Sequence, residues 1–223
     1  MQASSQFGEY PKLPHSVQVL DDFISDGWEL LDSSRGDLNK DGVDDYAFVL
    51  QSLDSIPAEY EDAMWSVPYY PRILGIAFWD DDLSGYKLKV QSNKFVITNE
   101  GNGSMEEPYR GLEIRKNGTL KFEFGYWYSA GTWYTGSSTY IFRYQNNRFE
   151  LIGQEITSLH RATMAYSKTS INYSTRKATL FSQEDEEDKG ATETVSFSVD
   201  ELPTFRTIGA ARFVAAVDIN SGE

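Results

Sequence analysis

Between Gly36 and Asp45 the chain sets oxygen-bearing side chains at alternate positions, Asp37, Asn39 and Asp41, followed by Gly42, Val43, Asp44 and Asp45. Oxygens spaced this way converge when the backbone wraps around a hard cation, and the glycine supplies the sharp turn. The Val43 carbonyl and Asp45, at the ninth position, would complete the shell directly or through a ligated water. Many flexible oxygens suit Ca²⁺ better than Mg²⁺, which demands a tight octahedron and keeps its waters. The expected ligands are therefore Asp37, Asn39, Asp41, Val43 and Asp45. The twelfth position is Phe48, so the bidentate glutamate of a helix-loop-helix calcium hand is missing and a strand-loop-strand setting is expected. The alternative for the same residues is a polar hairpin of Asx turns that binds no ion. Crowded acids repel one another in the metal-free loop, so binding would be coupled to ordering, and a structural staple is the expected role.

A second set of residues suits recognition. Gly125-Tyr126-Trp127-Tyr128-Ser129-Ala130-Gly131-Thr132-Trp133-Tyr134-Thr135-Gly136 places rigid aromatics on small-residue backbone, a composition fit for partner hot spots or sugar stacking. Trp127, Trp133 and Tyr134 are the candidates here, and Trp65 and Tyr69 in the irregular 52–71 stretch are further ones; capping the core is the competing role for all of them. Catalytic chemistry finds less support. The two histidines, His15 and His160, lack a serine motif, and no spacing singles out a carboxylate pair among the many acids. The expected protein is not an enzyme, with a glycan-binding module or a hydrolase as the alternative.

The elements that must hold these residues read mainly as antiparallel strands. Val17, Leu20, Phe23 and Ile24 recur at helical spacing after Ser16, which predicts a short helix over 17–24. Trp28–Asp32 predicts a strand leading into a polar loop, 33–45. Tyr46–Gln51, almost unbroken in its apolar character, predicts a strand buried on both faces. Residues 72–79 and 86–91 predict a hairpin with one wet face. Leu112, Ile114, Leu120, Phe122 and Phe124 alternate around Asn117-Gly118, predicting a hairpin with a type I′ turn. Tyr140, Phe142 and Tyr144 continue the pattern to Asn146-Asn147, followed by Phe149–Ile152. Thr157–Tyr166 fits helix or strand, 170–181 a strand pair, and 194–199 another strand. The acidic run Glu184–Asp188 reads as a solvated loop. The expected fold class is α+β: an antiparallel β meander with one or two short helices, not a repeat propeller. One domain is expected over 16–205, with an irregular segment 1–15 before it and a segment 206–223 after it.

The 223 residues, 40% hydrophobic and 14% aromatic, can bury a sizeable core. Thirty-four acids against 20 Lys and Arg give a net charge of −14, which repels a phosphate backbone and makes nucleic acid and anionic lipid poor partners. There are no cysteines, which excludes disulfides, thiolate metal sites and a cysteine nucleophile. No apolar run is long enough for a transmembrane helix, and Met1–Gln6 has neither the basic nor the apolar region of a signal peptide.

The loop, with Gly36 before it and Tyr46–Leu50 after it, resembles the calcium loop of the FG-GAP and VCBS repeat classes of exported and surface proteins, present here as one copy. More widely, the chain resembles a family of uncharacterised Gram-negative envelope proteins, often lipoproteins. The resemblance rests on the short helix, Gly27-Trp28 with Leu30-Leu31-Asp32, the GDLNKDGxxD loop, and Phe142–Asn147 with Leu151–Gly153. It spans about residues 16–205 and carries no assigned reaction. It implies a periplasmic or envelope protein whose signal peptide has been removed, tethered by a lipid anchor on its natural N-terminus or free. Similar single-loop calcium proteins of the envelope include immunity lipoproteins that block peptidoglycan hydrolases. That analogy makes a secreted toxin or envelope enzyme the expected partner.

Overall fold

The computed structural model describes residues 10–58 and 66–219. Trp65 and the acids Glu59, Glu61 and Asp62 lie outside the described residues. Twelve strands among the described residues form two antiparallel sheets. β1 (Ser16–Val17), β2 (Trp28–Gly36), β3 (Asp45–Ser52), β4 (Arg72–Asp80) and β5 (Gly85–Ser92) make a five-stranded sheet in the order β1-β5-β4-β3-β2. β6 (Tyr109–Ile114), β7 (Thr119–Tyr126), β8 (Tyr134–Gln145), β9 (Arg148–His160), β10 (Tyr166–Asn172), β11 (Lys177–Gln183) and β12 (Ala191–Ser196) follow one another as a seven-stranded meander. The expected antiparallel β architecture is what the chain adopts, without a closed barrel or propeller. Its α component among the described residues is a single four-residue helix, α1 (Phe205–Ile208). No helix among the described residues is long and apolar enough to cross a membrane.

Period-two alternation sorts the five-stranded sheet between two cores. Ala47 and Val49 of β3 and Leu74, Ile76 and Phe78 of β4 face the larger sheet, where they meet Phe122, Phe124, Tyr140 and Phe142. Phe48, Leu50, Ile73 and Ala77 face the other way and are covered by Leu13, Val17 and Phe23. The burial of β3 on both faces, expected from its composition, follows from this division of labour. Gly75 lies under the Phe48 ring, where a Cβ would fall 2.2 Å from Phe48 Cζ. Phe95, in the connection between the sheets, stands edge-on to Phe122, Tyr140, Phe142 and Phe205 at centroid separations of 4.9 to 5.5 Å. Residues outside 16–205 share these cores: Leu13 at one end, Ala211 and Ile219 at the other.

The helix expected over 17–24 does not form. Val17 pairs with Tyr86 in β1, and only a 3-10 turn, Leu20–Phe23, follows. Nucleating so short a helix is unfavourable, whereas pairing with β5 and inserting Val17 and Phe23 into the outer core satisfies the same apolar residues. The type I′ turn also lies elsewhere than expected. At the β6–β7 hairpin Gly118 alone has positive φ, +74°, and a three-residue loop is closed by Arg115 N–H donating to the Thr119 carbonyl and Gly118 N–H donating to the Arg115 carbonyl. Asn117 accepts from the Thr119 backbone with its side chain instead of turning left-handed. Asn146 and Asn147, at φ +53° and +60°, provide the two left-handed residues of the two-residue β8–β9 loop. Thr157–His160, open between helix and strand in the sequence, extends β9.

One irregularity joins the sheets. Leu30 pairs opposite Leu50 and Asp32 opposite Val49, so Leu31 is an extra, bulged residue. Leu50 belongs to the outer core and Val49 to the inner one, so the bulge switches Asp32, Ser34 and Gly36 to the side on which β6 lies. There Asp32 Oδ2 accepts from the Tyr109 hydroxyl at 2.8 Å and the Leu112 N–H at 3.2 Å, and Ser34 Oγ accepts from the Ile114 N–H at 2.9 Å. At Gly36 a Cβ would come within 2.7 Å of Ile114 Cγ2. The seam ends at Gly36, where the Asp37–Asp45 loop begins.

Candidate functional site

The Asp37–Asp44 loop is held from beneath. Leu38 is buried in the inner core, and Asp45, the first residue of β3, is fully buried. Asp45 Oδ2 accepts from the N–H groups of Leu38 (2.9 Å) and Asn39 (3.2 Å), and Oδ1 accepts from Trp79 N–H at 3.1 Å. Burial pushes its carboxyl up to about 6, against the downward pull of these three donors. Gly42, at φ +91°, makes the reversal. Gly118 brings the β6–β7 turn against the loop, where a Cβ would lie 3.0 Å from the Asp37 carbonyl oxygen.

Above this base the acids curl the loop through Asx turns. Asp37 accepts from Lys40 N–H at 2.6 Å and Gly42 N–H at 3.0 Å, one on each oxygen. Asn39 Oδ1 accepts from Asp41 N–H at 2.9 Å, Asp41 Oδ1 from Val43 N–H at 2.8 Å, and Asn39 Nδ2 donates to Asp41 Oδ2 at 2.7 Å. No three His, Asp or Glu side chains among the described residues converge as a ready-made metal cluster. The donor chemistry nonetheless fits a hard cation. Each oxygen holding one N–H keeps a second lone pair, the side chains of Asp37, Asn39 and Asp41 sit on the exposed part of the loop, and the Val43 carbonyl follows them. Asp45 is placed differently from these four, because its Oδ2 is filled by two donors and only Oδ1 retains a lone pair. Its geometry is that of the post on which the loop stands.

Three of the five expected recognition residues come together at the end of the larger sheet. Trp127, just past β7, Trp133, just before β8, and Tyr134, its first residue, are 37%, 62% and 53% exposed. Their organiser is Arg161, in the β9–β10 turn. Its guanidinium lies 4.3 Å from the centroid of Trp127 and 5.9 Å from that of Trp133. Its Nη2 donates to the carbonyls of Tyr128 (2.8 Å) and Thr132 (2.7 Å), and Nε to that of Trp133 (3.3 Å). The Tyr134 ring meets His160 edge-on at 4.8 Å, and His160 Nδ1 is 2.9 Å from Thr163 Oγ1. Arg161 thus fixes the exposed Trp127 and Trp133, and Tyr134, next in sequence to Trp133, is held separately by His160. Tyr69 stands apart from them, half-buried, with its backbone bonded in both directions to Ile56.

Arg161 had no local signal in the sequence, because its partners lie about thirty residues upstream and are reached only through the β8–β9 pairing. Comparison with protein-family models, curated proteins and solved structures finds no match.

Proposed function

We propose that this chain is an exported, calcium-binding, non-enzymatic protein of the bacterial envelope that binds another protein, in the manner of an inhibitor of a periplasm-acting toxin or peptidoglycan hydrolase. The observation that carries the binding role is the aromatic surface around Arg161. Trp, Tyr and Arg are the side chains that dominate binding hot spots, and here they are exposed, adjacent and already held in place, so little ordering cost remains on association. Arginine fastened to three carbonyls acts as scaffold and leaves Trp133 and Tyr134 to make contact.

The calcium role rests on the donor set of Asp37, Asn39, Asp41 and Val43, standing on Asp45. Bound there, the ion would offset the repulsion among the loop's acids and tie β2 to β3, which are the elements that carry the seam to the second sheet. The envelope address and the toxin or hydrolase partner rest on the resemblance of the loop and its flanks to exported calcium-loop proteins.

The test is inhibition. Purified protein is mixed with a secreted peptidoglycan hydrolase encoded beside it, and lysis of cell-wall sacculi is followed. Stoichiometric loss of hydrolysis, relieved by Trp133→Ala, supports the reading. Undiminished hydrolysis, with the protein instead binding peptidoglycan fragments through Trp133, would replace it with a glycan-binding module.

A further inference from the structure

At the edge of the five-stranded sheet away from the β2–β6 seam, a groove of about 1480 Å³ opens between β5, the β8–β9 hairpin and the segment around α1. Its charge runs against that of the chain. The whole sequence carries 34 acids and 20 Lys and Arg, yet among the described residues the groove is lined by Lys87, Lys89, Lys94, Arg148 and Arg206 and by one acid, Glu201. Two of these cations are compensated. Arg148 pairs with Glu150 at 2.7 Å and Glu201 at 3.1 Å, and Lys87 reaches Asp80 at 4.0 Å. Lys89, Lys94 and Arg206 are exposed and have no ion pair among the described residues; Lys89 Nζ lies 5.3 Å from the Phe78 ring centroid. Beneath them Val90, Phe149 and Leu202 supply apolar surface.

We propose that this groove binds an acidic peptide segment of a partner protein, with carboxylates on Lys89, Lys94 and Arg206 and interspersed apolar side chains on the floor. A concave site walled by protein focuses the field of a few cations even when the distant surface is negative. The net charge of −14 selects among anions: a densely charged nucleic acid or sulfated glycan is strongly repelled by the rest of the surface, whereas a peptide bearing a few carboxylates is repelled far less. The volume exceeds the roughly 300–1,000 Å³ of small-molecule pockets and suits a length of chain. The groove shares no residue with the aromatic surface around Arg161, so the inference stands apart from the function proposed above.

The experiment is fluorescence anisotropy on the full chain with a short labelled peptide in which glutamate alternates with leucine and phenylalanine. The same peptide with lysine for glutamate, a sulfated oligosaccharide and phosphatidylglycerol vesicles are the other probes. The expected result is saturable binding of the acidic peptide that weakens with salt and falls about tenfold or more in Lys89→Gln/Lys94→Gln/Arg206→Gln, with Trp133→Ala unchanged. The corresponding triple change to glutamate should abolish it, and melting curves of both variants establish that they are folded. No binding, equal binding of the lysine peptide, equal affinity in the folded triple-glutamine variant, or preference for the oligosaccharide or the vesicles overturns the proposal.

Discussion

Arg72 grips Glu107 through two parallel hydrogen bonds, Nη1 to Oε1 at 2.7 Å and Nη2 to Oε2 at 2.8 Å, while its own side chain is almost wholly buried. The same guanidinium donates to Gln51 and to the Ile97 carbonyl, so β3, β4 and the connection between the sheets meet on one cation. Removing Glu107 leaves the buried Arg72 charge without its counter-ion. Glu107→Ala, which leaves that charge unpaired, should lower stability by about 3–5 kcal/mol in urea unfolding, whereas Glu107→Gln, which keeps an acceptor oxygen for the guanidinium, should cost less, about 1–3 kcal/mol.

Calcium should raise the melting temperature. An ion bound only by the folded chain at a hundredfold excess over its Kd adds about 2.7 kcal/mol, and each kcal/mol shifts a chain of this size by about 2–4 °C. Asp41→Ala should lose the calcium response with little change in the chelated protein. Asp45→Asn should lower the melting temperature even in chelator, because the Asp45 carboxylate serves three backbone donors beneath the loop. Differential scanning calorimetry with and without chelator separates the two effects.

Glu150 sets part of the acid limit. Burial pushes its carboxyl up, but hydrogen bonds from Gln145, Arg148 and Asn146 outweigh that and hold it below the ordinary glutamate value. A carboxylate depressed in the folded state contributes stability that is full above its unfolded pKa and disappears as pH falls through the folded one. Glu150→Gln should therefore be less stable at neutral pH, by about 1–3 kcal/mol, and its melting temperature should fall less steeply than that of the wild type on acidification below the ordinary glutamate range.

The aromatic surface separates binding from folding. Trp133→Ala, at an exposed position, should change stability by no more than about 0.5 kcal/mol while removing partner binding. Arg161→Lys keeps the charge but loses the flat guanidinium, with its donors directed at three carbonyls. It should red-shift tryptophan emission as Trp127 and Trp133 loosen, and weaken partner binding about tenfold or more.

Local pattern made the sheets legible. The alternation around Asn117-Gly118 and the unbroken apolar β3 needed no knowledge of distant residues. Legibility failed where a distant partner decides the outcome. Val17 and Phe23 are spaced as in a helix, yet β5 recruits the first and the outer core the second. Phe95 sits in a connection with no periodicity and still occupies the centre of the inner core. In the loop, the residue types and the Gly42 turn were readable, but the separate placement of Asp45 depends on the backbone of Trp79, 34 residues away. The basic groove is assembled from β5, one hairpin and α1, so no window of sequence contains it.

Phe205, Ala211 and Ile219 complete a core whose other walls are built from residues 38 to 197. During vectorial synthesis the strands of both sheets therefore leave the ribosome before their interior can be sealed, and Phe122, Phe142 and Phe149 wait with a gap where the Phe205 ring will stack. A chain arrested before that point would display a greasy, unsealed cleft, the kind of surface that holdase chaperones bind and that promotes aggregation.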